Sequence, residues 1–213
     1  MILGIVVTVV GTIGLLVAEW RDLPTARWGF KPLASAGFLL AALRAPEWVT
    51  PTGAAWLLLV GLALSALGDV LLVPRSKMAF IGGIGAFALA HVTFGAWFLG
   101  QGAATWLLAP VALAFLVIGH RVWRWLDPHV SGAMRVPVRV YVALVSLMAA
   151  CAIAYGAGVS ALALLPAIGG VLFYLSDLAV ARHRFVAPGF VNRAWGLPTY
   201  YLAQLLIAYA VHG

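Results

Sequence analysis

Residues 55–69 of the chain read Ala-Trp-Leu-Leu-Leu-Val-Gly-Leu-Ala-Leu-Ser-Ala-Leu-Gly-Asp, a hydrophobic run that ends in a carboxylate. A second run, residues 166–177, reads Pro-Ala-Ile-Gly-Gly-Val-Leu-Phe-Tyr-Leu-Ser-Asp and also ends in one. Asp69 and Asp177 thus lie half a chain apart in a protein of 213 residues with only six acidic side chains. A carboxylate at membrane depth is energetically costly and is rare there without a function. The two runs therefore predict membrane helices that carry a paired carboxylate site.

The composition of the whole chain is typical of a polytopic membrane protein. Hydrophobic residues make up 64% of it and charged residues only 9%, which leaves no room for a separate aqueous domain. The net charge of +7 does not indicate nucleic-acid binding, because basic loops that face anionic lipids account for it. We predict an all-α fold, with one transmembrane domain over residues 1–213 that is surrounded by membrane lipids.

Hydrophobic runs bounded by Pro, Gly and Arg predict eight transmembrane helices. Their expected ranges are 2–19, 31–45, 53–73, 78–99, 104–120, 138–157, 160–181 and 193–212. With eight spans, 12 of the 13 basic residues fall in the loops of one side, and only Arg44 falls on the other. Basic loops stay in the cytoplasm. The charge pattern therefore predicts a bacterial inner-membrane protein with both termini outside.

The two aspartates occupy equivalent places at the cytoplasmic ends of the third and seventh predicted spans. Gly-Asp-Val-Leu-Leu-Val-Pro-Arg begins at Gly68, and Ser-Asp-Leu-Ala-Val-Ala-Arg begins at Ser176. Two interpretations fit this similarity: a parallel repeat of four helices plus four, with halves 1–103 and 104–213, or chance likeness of two helix ends. In the repeat, a pseudo-twofold axis along the membrane normal would bring the two aspartates together.

A pair of neighbouring carboxyls in an apolar site can hold one proton between them, and so supply a general acid and a general base. This chemistry needs no cofactor, and we predict none. No zinc signature, phosphate-binding loop or dinucleotide fingerprint is present in the sequence, so we predict no metal site. Cys151 is the single cysteine. The catalytic candidates are therefore Asp69 and Asp177.

Six further polar residues are candidates for binding a substrate. A histidine deep in the fourth span either lines the floor of a cavity or forms a hydrogen bond between helices. One tyrosine is expected on the same helical face as Asp177, and another at a depth similar to that of both aspartates. Either could donate a hydrogen bond to a carboxyl group or to a bound substrate, or could simply pack as an aromatic side chain. Two cations and an amide at the cytoplasmic mouth suit a lipid phosphate, with ordinary loop charge as the alternative. These residues are His91, Tyr174, Tyr200, Lys31, Arg193 and Asn192.

The motifs together resemble those of the lysoplasmalogenase-like YhhN membrane family. One half of its pattern is similar to Leu-Gly-Asp-Val-Leu-Leu from Leu67, followed by Phe80, three glycines, Phe87 and Ala90-His91. The other half is similar to Tyr-Leu-Ser-Asp-Leu-Ala from Tyr174, followed by Arg184-Phe185. Lys31-Pro32-Leu33 resembles the family's Lys-Pro-Leu motif. The match covers most of the chain in architecture and about a third of it in motifs.

The resemblance implies eight helices and an enzyme that hydrolyses the vinyl ether bond of lysoplasmalogens, releasing a fatty aldehyde and a glycerophospho-alcohol. The expected substrate is therefore a lysophospholipid. The family's two motif aspartates, proposed as catalytic, fall on Asp69 and Asp177, and its motif histidine falls on His91. A tyrosine often follows that histidine by three residues; Phe94 stands there in this chain. A proton-coupled transporter or lipid-translocating protein that uses the same aspartates is the alternative function.

Overall fold

Eight α-helices form the described part of the chain, which comprises residues 1–43, 53–74, 76–158 and 164–210 of a computed structural model. The helices are α1 (Ile2–Trp20), α2 (Pro24–Leu43), α3 (Gly53–Leu71), α4 (Lys77–Gly100), α5 (Thr105–Leu126), α6 (Gly132–Gly158), α7 (Leu164–Ala181) and α8 (Phe190–Tyr209). A 3₁₀ turn (Asp127–His129) joins α5 to α6, and a π-helical turn (Arg182–Val186) follows α7. The predicted all-α architecture of eight helices is confirmed. Arg44, Arg75 and the ends of three predicted spans (44–45, 160–163 and 211–212) lie outside the described residues.

Several helices are longer than the sequence predicted. Helix α2 begins at Pro24 and not at residue 31, α6 begins at Gly132 and not at 138, and α5 continues to Leu126. Those predicted boundaries were set where Pro, Gly or Arg interrupts a hydrophobic run, and they are wrong because the helices continue through such residues, with Pro32 inside α2 and Pro137 inside α6. Lys31 consequently lies inside α2, about 10 Å along the helix from its first residue.

Six helices of the described residues are long and apolar enough to cross a membrane. They are α1, α3, α4, α5, α6 and α7, with the turns after α5 and α7 included. The other two helices, α2 and α8, are less apolar because they carry buried polar groups, among them Lys31 and Ser35 in α2 and Asn192 in α8. The six apolar helices identify a multi-pass membrane protein, and the two polar helices bring functional groups into its interior.

Consecutive helices pack against each other in pairs, and α8 returns to contact α1 and α2. Helices α1 and α2 approach each other closely, and a Cβ built on Gly11 would lie 2.6 Å from the backbone nitrogen of Ala34. Small residues allow two membrane helices to pack backbone against backbone in this way. The tight contact fixes α2, and with it Lys31 and Ser35, against the rest of the bundle.

Buried aromatic side chains fill the part of the bundle away from the basic loops. Phe94, Phe98 and Phe173 have no solvent exposure, and Trp97 and Tyr155 are also buried. Their rings stack on one another, with centroids 5.2 Å apart for Trp97 and Tyr155. Because this half is packed with side chains, the polar groups near the basic loops lie above a closed apolar floor.

Candidate active site

A cavity lined by residues of α2 to α8 opens at the end of the bundle that carries the basic loops. It has a volume of about 90 Å³, and most of its wall is apolar. Both predicted catalytic residues line it, Asp69 from α3 and Asp177 from α7. Five of the predicted substrate-binding residues also line it: Lys31, Tyr174, Asn192, Arg193 and Tyr200.

Asp69 is held by a cation and two hydroxyl groups. The Lys31 ammonium lies 3.2 Å from its Oδ1, and the Ser35 hydroxyl donates a hydrogen bond of 2.7 Å to its Oδ2. The Tyr200 hydroxyl donates a second bond of 2.8 Å to Oδ2. The carboxyl group is only 3% exposed. The ammonium partner and the two donors favour the carboxylate form of this buried group, because they pair its charge and donate hydrogen bonds to its oxygens.

Asp177 has different partners, and both contact the same oxygen. The Tyr141 hydroxyl donates to Oδ2 at 2.9 Å, and Nε2 of His91 lies 3.0 Å from Oδ2. The same His91 nitrogen lies 3.0 Å from the Tyr141 oxygen, so the three polar groups form a closed triangle. The Asp177 side chain is 13% exposed, more than that of Asp69, and this exposure faces the cavity that it lines.

The surroundings of the two ring nitrogens of His91 indicate which of them donates a hydrogen bond. Nδ1 is buried and has no hydrogen-bond partner among the described residues. A proton on Nδ1 would be a buried donor without an acceptor, which is costly, and more so if the ring were charged. The neutral tautomer with its proton on Nε2 satisfies the geometry and donates to Asp177. Asp177 thus has neutral partners, whereas Asp69 has a cation.

A row of aromatic rings connects the two carboxyl sites. The Phe173 ring lies between them, with its centroid 4.6 Å from that of His91 and 5.4 Å from that of Tyr200. Its edge-to-face contacts restrict the rotation of both neighbouring rings. The ring that donates to Asp69 and the ring that donates to Asp177 are therefore positioned by one shared side chain.

Each aspartate receives partners from both halves of the chain. Asp69 in α3 is contacted from α2 and α8, and Asp177 in α7 is contacted from α6 and α4. The spacing is also alike, since His91 follows Asp69 by 22 residues and Tyr200 follows Asp177 by 23. This exchange of partners is what a repeat of four helices plus four would produce. The repeat itself stays a prediction.

Two residues of the site were missed from the sequence. Ser35 lies one helical turn after Lys31, and this i,i+4 spacing was the available signal. Tyr141 precedes Asp177 by 36 residues, nearly as Lys31 precedes Asp69 by 38. The internal similarity could therefore have identified it. A tyrosine near a basic loop is more often an interfacial anchor, which is why it did not stand out.

His91 is not among the residues that line the cavity; it forms hydrogen bonds between helices, to Tyr141 and Asp177, which is the second of its two expected roles. Helix α7 continues through the π-helical turn to Val186. Asp177 is therefore about 13 Å from the end of its helical segment, deeper than its distance to Arg182 suggested.

The other predicted binding residues lie at the cavity wall and mouth. The Tyr174 ring packs edge-on against Phe115, with centroids 5.4 Å apart. Asn192 accepts a hydrogen bond of 2.6 Å from Arg182 and donates one of 2.8 Å to the carbonyl of Ala187. Both ends of its amide thus hold the connection between α7 and α8. Within the described residues, no group of three or more His, Cys, Asp or Glu side chains could hold a metal ion.

The family profile that matches this chain is that of the YhhN family, and the match covers residues 26–211. The chain belongs to the YhhN family. The resemblance of the motifs is thereby confirmed over most of the sequence. Lysoplasmalogenase TMEM86A of Homo sapiens is 32% identical over 185 residues, which cover 85% of this chain and 71% of the human protein.

Two further relatives named lysoplasmalogenase are similar to this chain at comparable identity. Lysoplasmalogenase TMEM86A of Bos taurus is 33% identical over 157 residues, covering 70% of this chain and 62% of the relative. A lysoplasmalogenase of Mycobacterium tuberculosis is 35% identical over 195 residues, covering 82% of this chain and 66% of the relative. The chain thus spans about two thirds of the length of the YhhN relatives that it matches. No solved structure matches the chain.

Proposed function

We propose that this YhhN protein is a membrane hydrolase that cleaves the vinyl ether bond of a lysoplasmalogen to a fatty aldehyde and a glycerophospho-alcohol. The observation that carries the proposal is the unequal pair of carboxyls on one apolar wall: Asp69 bound by Lys31, and Asp177 bound only by neutral groups. The relatives named lysoplasmalogenase support the substrate class. The apolar cavity suits the hydrocarbon chain.

Asp177 is the general acid in this proposal. Vinyl ether hydrolysis begins when a proton is added to the carbon β to the oxygen, which leaves an oxocarbenium ion. Oδ2 of Asp177 already accepts hydrogen bonds from Tyr141 and His91, so Oδ1 is the oxygen that carries the proton. When that proton leaves, the same two donors stabilise the carboxylate that remains.

Asp69 is the anion and general base. Its negative charge stabilises the oxocarbenium ion, and it accepts a proton from the water molecule that attacks the cationic carbon. The hemiacetal then collapses: its hydroxyl proton passes to Asp177, and the departing alcohol oxygen takes the proton that Asp69 had accepted. One water molecule is consumed, and both carboxyls return to their starting states. Lys31 keeps Asp69 in the anionic state in which it can act.

The closed floor of the cavity favours hydrolysis over transport. The aromatic packing around Phe94, Trp97 and Phe98 lies on the far side of the carboxyls from the mouth, and these rings are 0–5% exposed. A transporter needs access from both membrane faces. The same aspartates could still serve proton-coupled transport or lipid translocation, which is the second candidate function.

We expect purified protein to release one fatty aldehyde for each lysoplasmalogen consumed, measured by mass spectrometry of both products. A lysophospholipid with a saturated ether of the same chain length is the matched control, because it offers no double bond to protonate. It should remain intact. Absence of aldehyde, together with lysoplasmalogen movement across proteoliposome membranes, would instead support the transporter.

We also propose that the protein lies in the bacterial inner membrane, with the cavity mouth toward the cytoplasm and both termini outside. The segregation of basic residues supports this orientation. Arg193 lies at the mouth itself. A C-terminal alkaline phosphatase fusion, which is active only outside the cytoplasm, should therefore be active in cells. A C-terminal green fluorescent protein should be dark; strong fluorescence would reverse the proposed orientation.

A further inference from the structure

A second cavity adjoins the apolar one at the basic end of the bundle. It has a volume of about 420 Å³, and it shares Leu72, Phe80, Val180 and Arg193 with the first cavity. Its other lining residues are largely charged or polar, unlike those of the first. A molecule with an apolar chain and a polar head could therefore occupy the two cavities together. The catalytic mechanism proposed above makes no use of this polar cavity.

Two of the three arginines that line the polar cavity have acidic neighbours. Glu19 lies between them, with Oε1 3.4 Å from Nε of Arg27 and Oε2 3.9 Å from Nε of Arg193. Asp22 lies 2.6 Å from the Arg27 guanidinium. These contacts join α1, α2 and α8 at the mouth. They also balance two positive charges with two negative charges.

Arg184 is the third arginine, and its surroundings differ. Its guanidinium lies over the Phe80 ring, 4.2 Å from the ring centroid, and the ring is supported edge-on by Phe185 at 5.9 Å. Arg184 has no carboxylate partner among the described residues. Stacking occupies the flat face of a guanidinium and leaves its N–H edge available for a planar pair of oxygens. With His183 neutral, the cavity carries one positive charge in excess.

We propose that the polar cavity is the headgroup site, and that Arg184 binds the phosphate diester of the substrate and makes the enzyme require it. This inference rests on the proposed function for the identity of the lipid. A phosphate diester carries one negative charge, which matches the excess charge of the cavity. Arg184 follows Asp177 by seven residues, about 10 Å along a helix. The glycerol between vinyl ether and phosphate, together with the length of an arginine side chain, spans such a distance.

Anchoring of the phosphate sets the register of the lipid in the apolar cavity. With the phosphate at Arg184, the vinyl ether lies beside Asp177 and the hydrocarbon chain extends along the apolar wall. A lipid without the phosphate could enter the cavity but would not be held at one depth. Arg184 thus determines which bond reaches the acid, although it takes no part in proton transfer.

The test uses ligands that the enzyme does not cleave. Binding to purified full-length protein is measured by tryptophan fluorescence for a saturated-ether lysophosphatidylethanolamine and for the alkylglycerol of the same chain length. Wild type is expected to bind the phospholipid more tightly than the alkylglycerol. Arg184→Gln should weaken phospholipid binding by about 10- to 100-fold and leave alkylglycerol binding unchanged. Arg184→Lys should recover part of the loss, because it keeps the charge but not the bidentate geometry.

Arg139→Gln is the matched control. Arg139 also stacks on an aromatic ring, with its guanidinium carbon 5.9 Å from the Trp123 centroid, but it lines neither cavity. It should bind both ligands as wild type does. An equal loss in Arg139→Gln would overturn the proposal in favour of general surface charge. Wild-type affinity for the phospholipid in Arg184→Gln would overturn it outright.

Inorganic phosphate is the remaining arm of the test. If it competes through Arg184 as strongly as the lysophospholipid does, the site is one for free phosphate and the lipid assignment is wrong. Because no ligand is cleaved in these measurements, the outcome is separate from that of the aldehyde assay. Arg184-dependent phospholipid binding without aldehyde release would retain the headgroup site and refute the hydrolase.

Discussion

Replacing Asp177 with asparagine should lower kcat for lysoplasmalogen hydrolysis by about 10²- to 10⁴-fold, the contribution of a positioned general acid. Asparagine retains an oxygen that accepts the Tyr141 hydrogen bond but has no proton to donate to the vinyl ether carbon. The protein should still fold, since the partners of Asp177 are neutral and no buried charge is left alone. Initial rates of aldehyde release, with thermal unfolding measured in the same detergent, give both quantities.

Asp127→Asn is the control for this prediction. The Asp127 side chain is 39% exposed and lies 3.3 Å from Arg135, outside the cavity, and its replacement should leave kcat unchanged. If Asp177→Asn retained most of the wild-type rate, Asp177 would not be the proton donor. Retention of activity in a variant that lacks both cavity aspartates would remove the pair from catalysis altogether and place transport ahead of hydrolysis.

The Lys31–Asp69 pair should show the largest effect on stability. Lys31→Met leaves the Asp69 carboxylate buried without its cation, and breaking a buried pair by removing one partner costs about 3–5 kcal/mol. The sequence suggested a phosphate-binding lysine at the cavity mouth, whose loss would mainly raise KM. The contact with Asp69 at 3.2 Å instead predicts a lower melting temperature together with a lower kcat.

A double variant separates folding from catalysis. Lys31→Met combined with Asp69→Asn removes both charges, so it should regain most of the lost stability while remaining inactive. Each measurement uses thermal unfolding in detergent and aldehyde release. Lys77→Met, at an exposed lysine at the start of α4, should match wild type in both. A double variant that was no more stable than Lys31→Met would contradict the ion-pair account, and one with wild-type activity would exclude Asp69 from the mechanism.

The catalytic candidates could be predicted because they are charged residues inside hydrophobic runs. A carboxylate in a hydrophobic run costs free energy wherever the helices pack, so Asp69 and Asp177 stood out without knowledge of the fold. Eight helices followed from the same hydropathy pattern. The polarity of α2 and α8 was visible too, but it gave no indication of which groups they would meet inside the bundle.

The pairing of each aspartate with its partners did not follow from the sequence, because it depends on which helices touch. In the sequence, Lys31 resembles an ordinary basic residue of a cytoplasmic loop. Only the packing of α2 beside α3 makes it the counter-ion of Asp69. Tyr141 is unremarkable in sequence, and only the approach of α6 to α7 makes it a donor to Asp177. Likewise, the π-helical turn after α7 has no clear local signal, yet it changes the depth assigned to Asp177.

The exchange of partners between the two halves has a consequence for biosynthesis. A nascent chain inserts its helices in order, so His91 enters the membrane with α4 long before its carboxylate arrives with α7. Asp69 enters with α3, but its hydrogen bond from the Tyr200 hydroxyl cannot form until α8, the last helix of the described chain, has inserted. A chain that lacks α8 therefore has all the described partners of Asp177 in place but an unfinished Asp69 site. The proposed hydrolysis would begin only when the final helix closes the bundle.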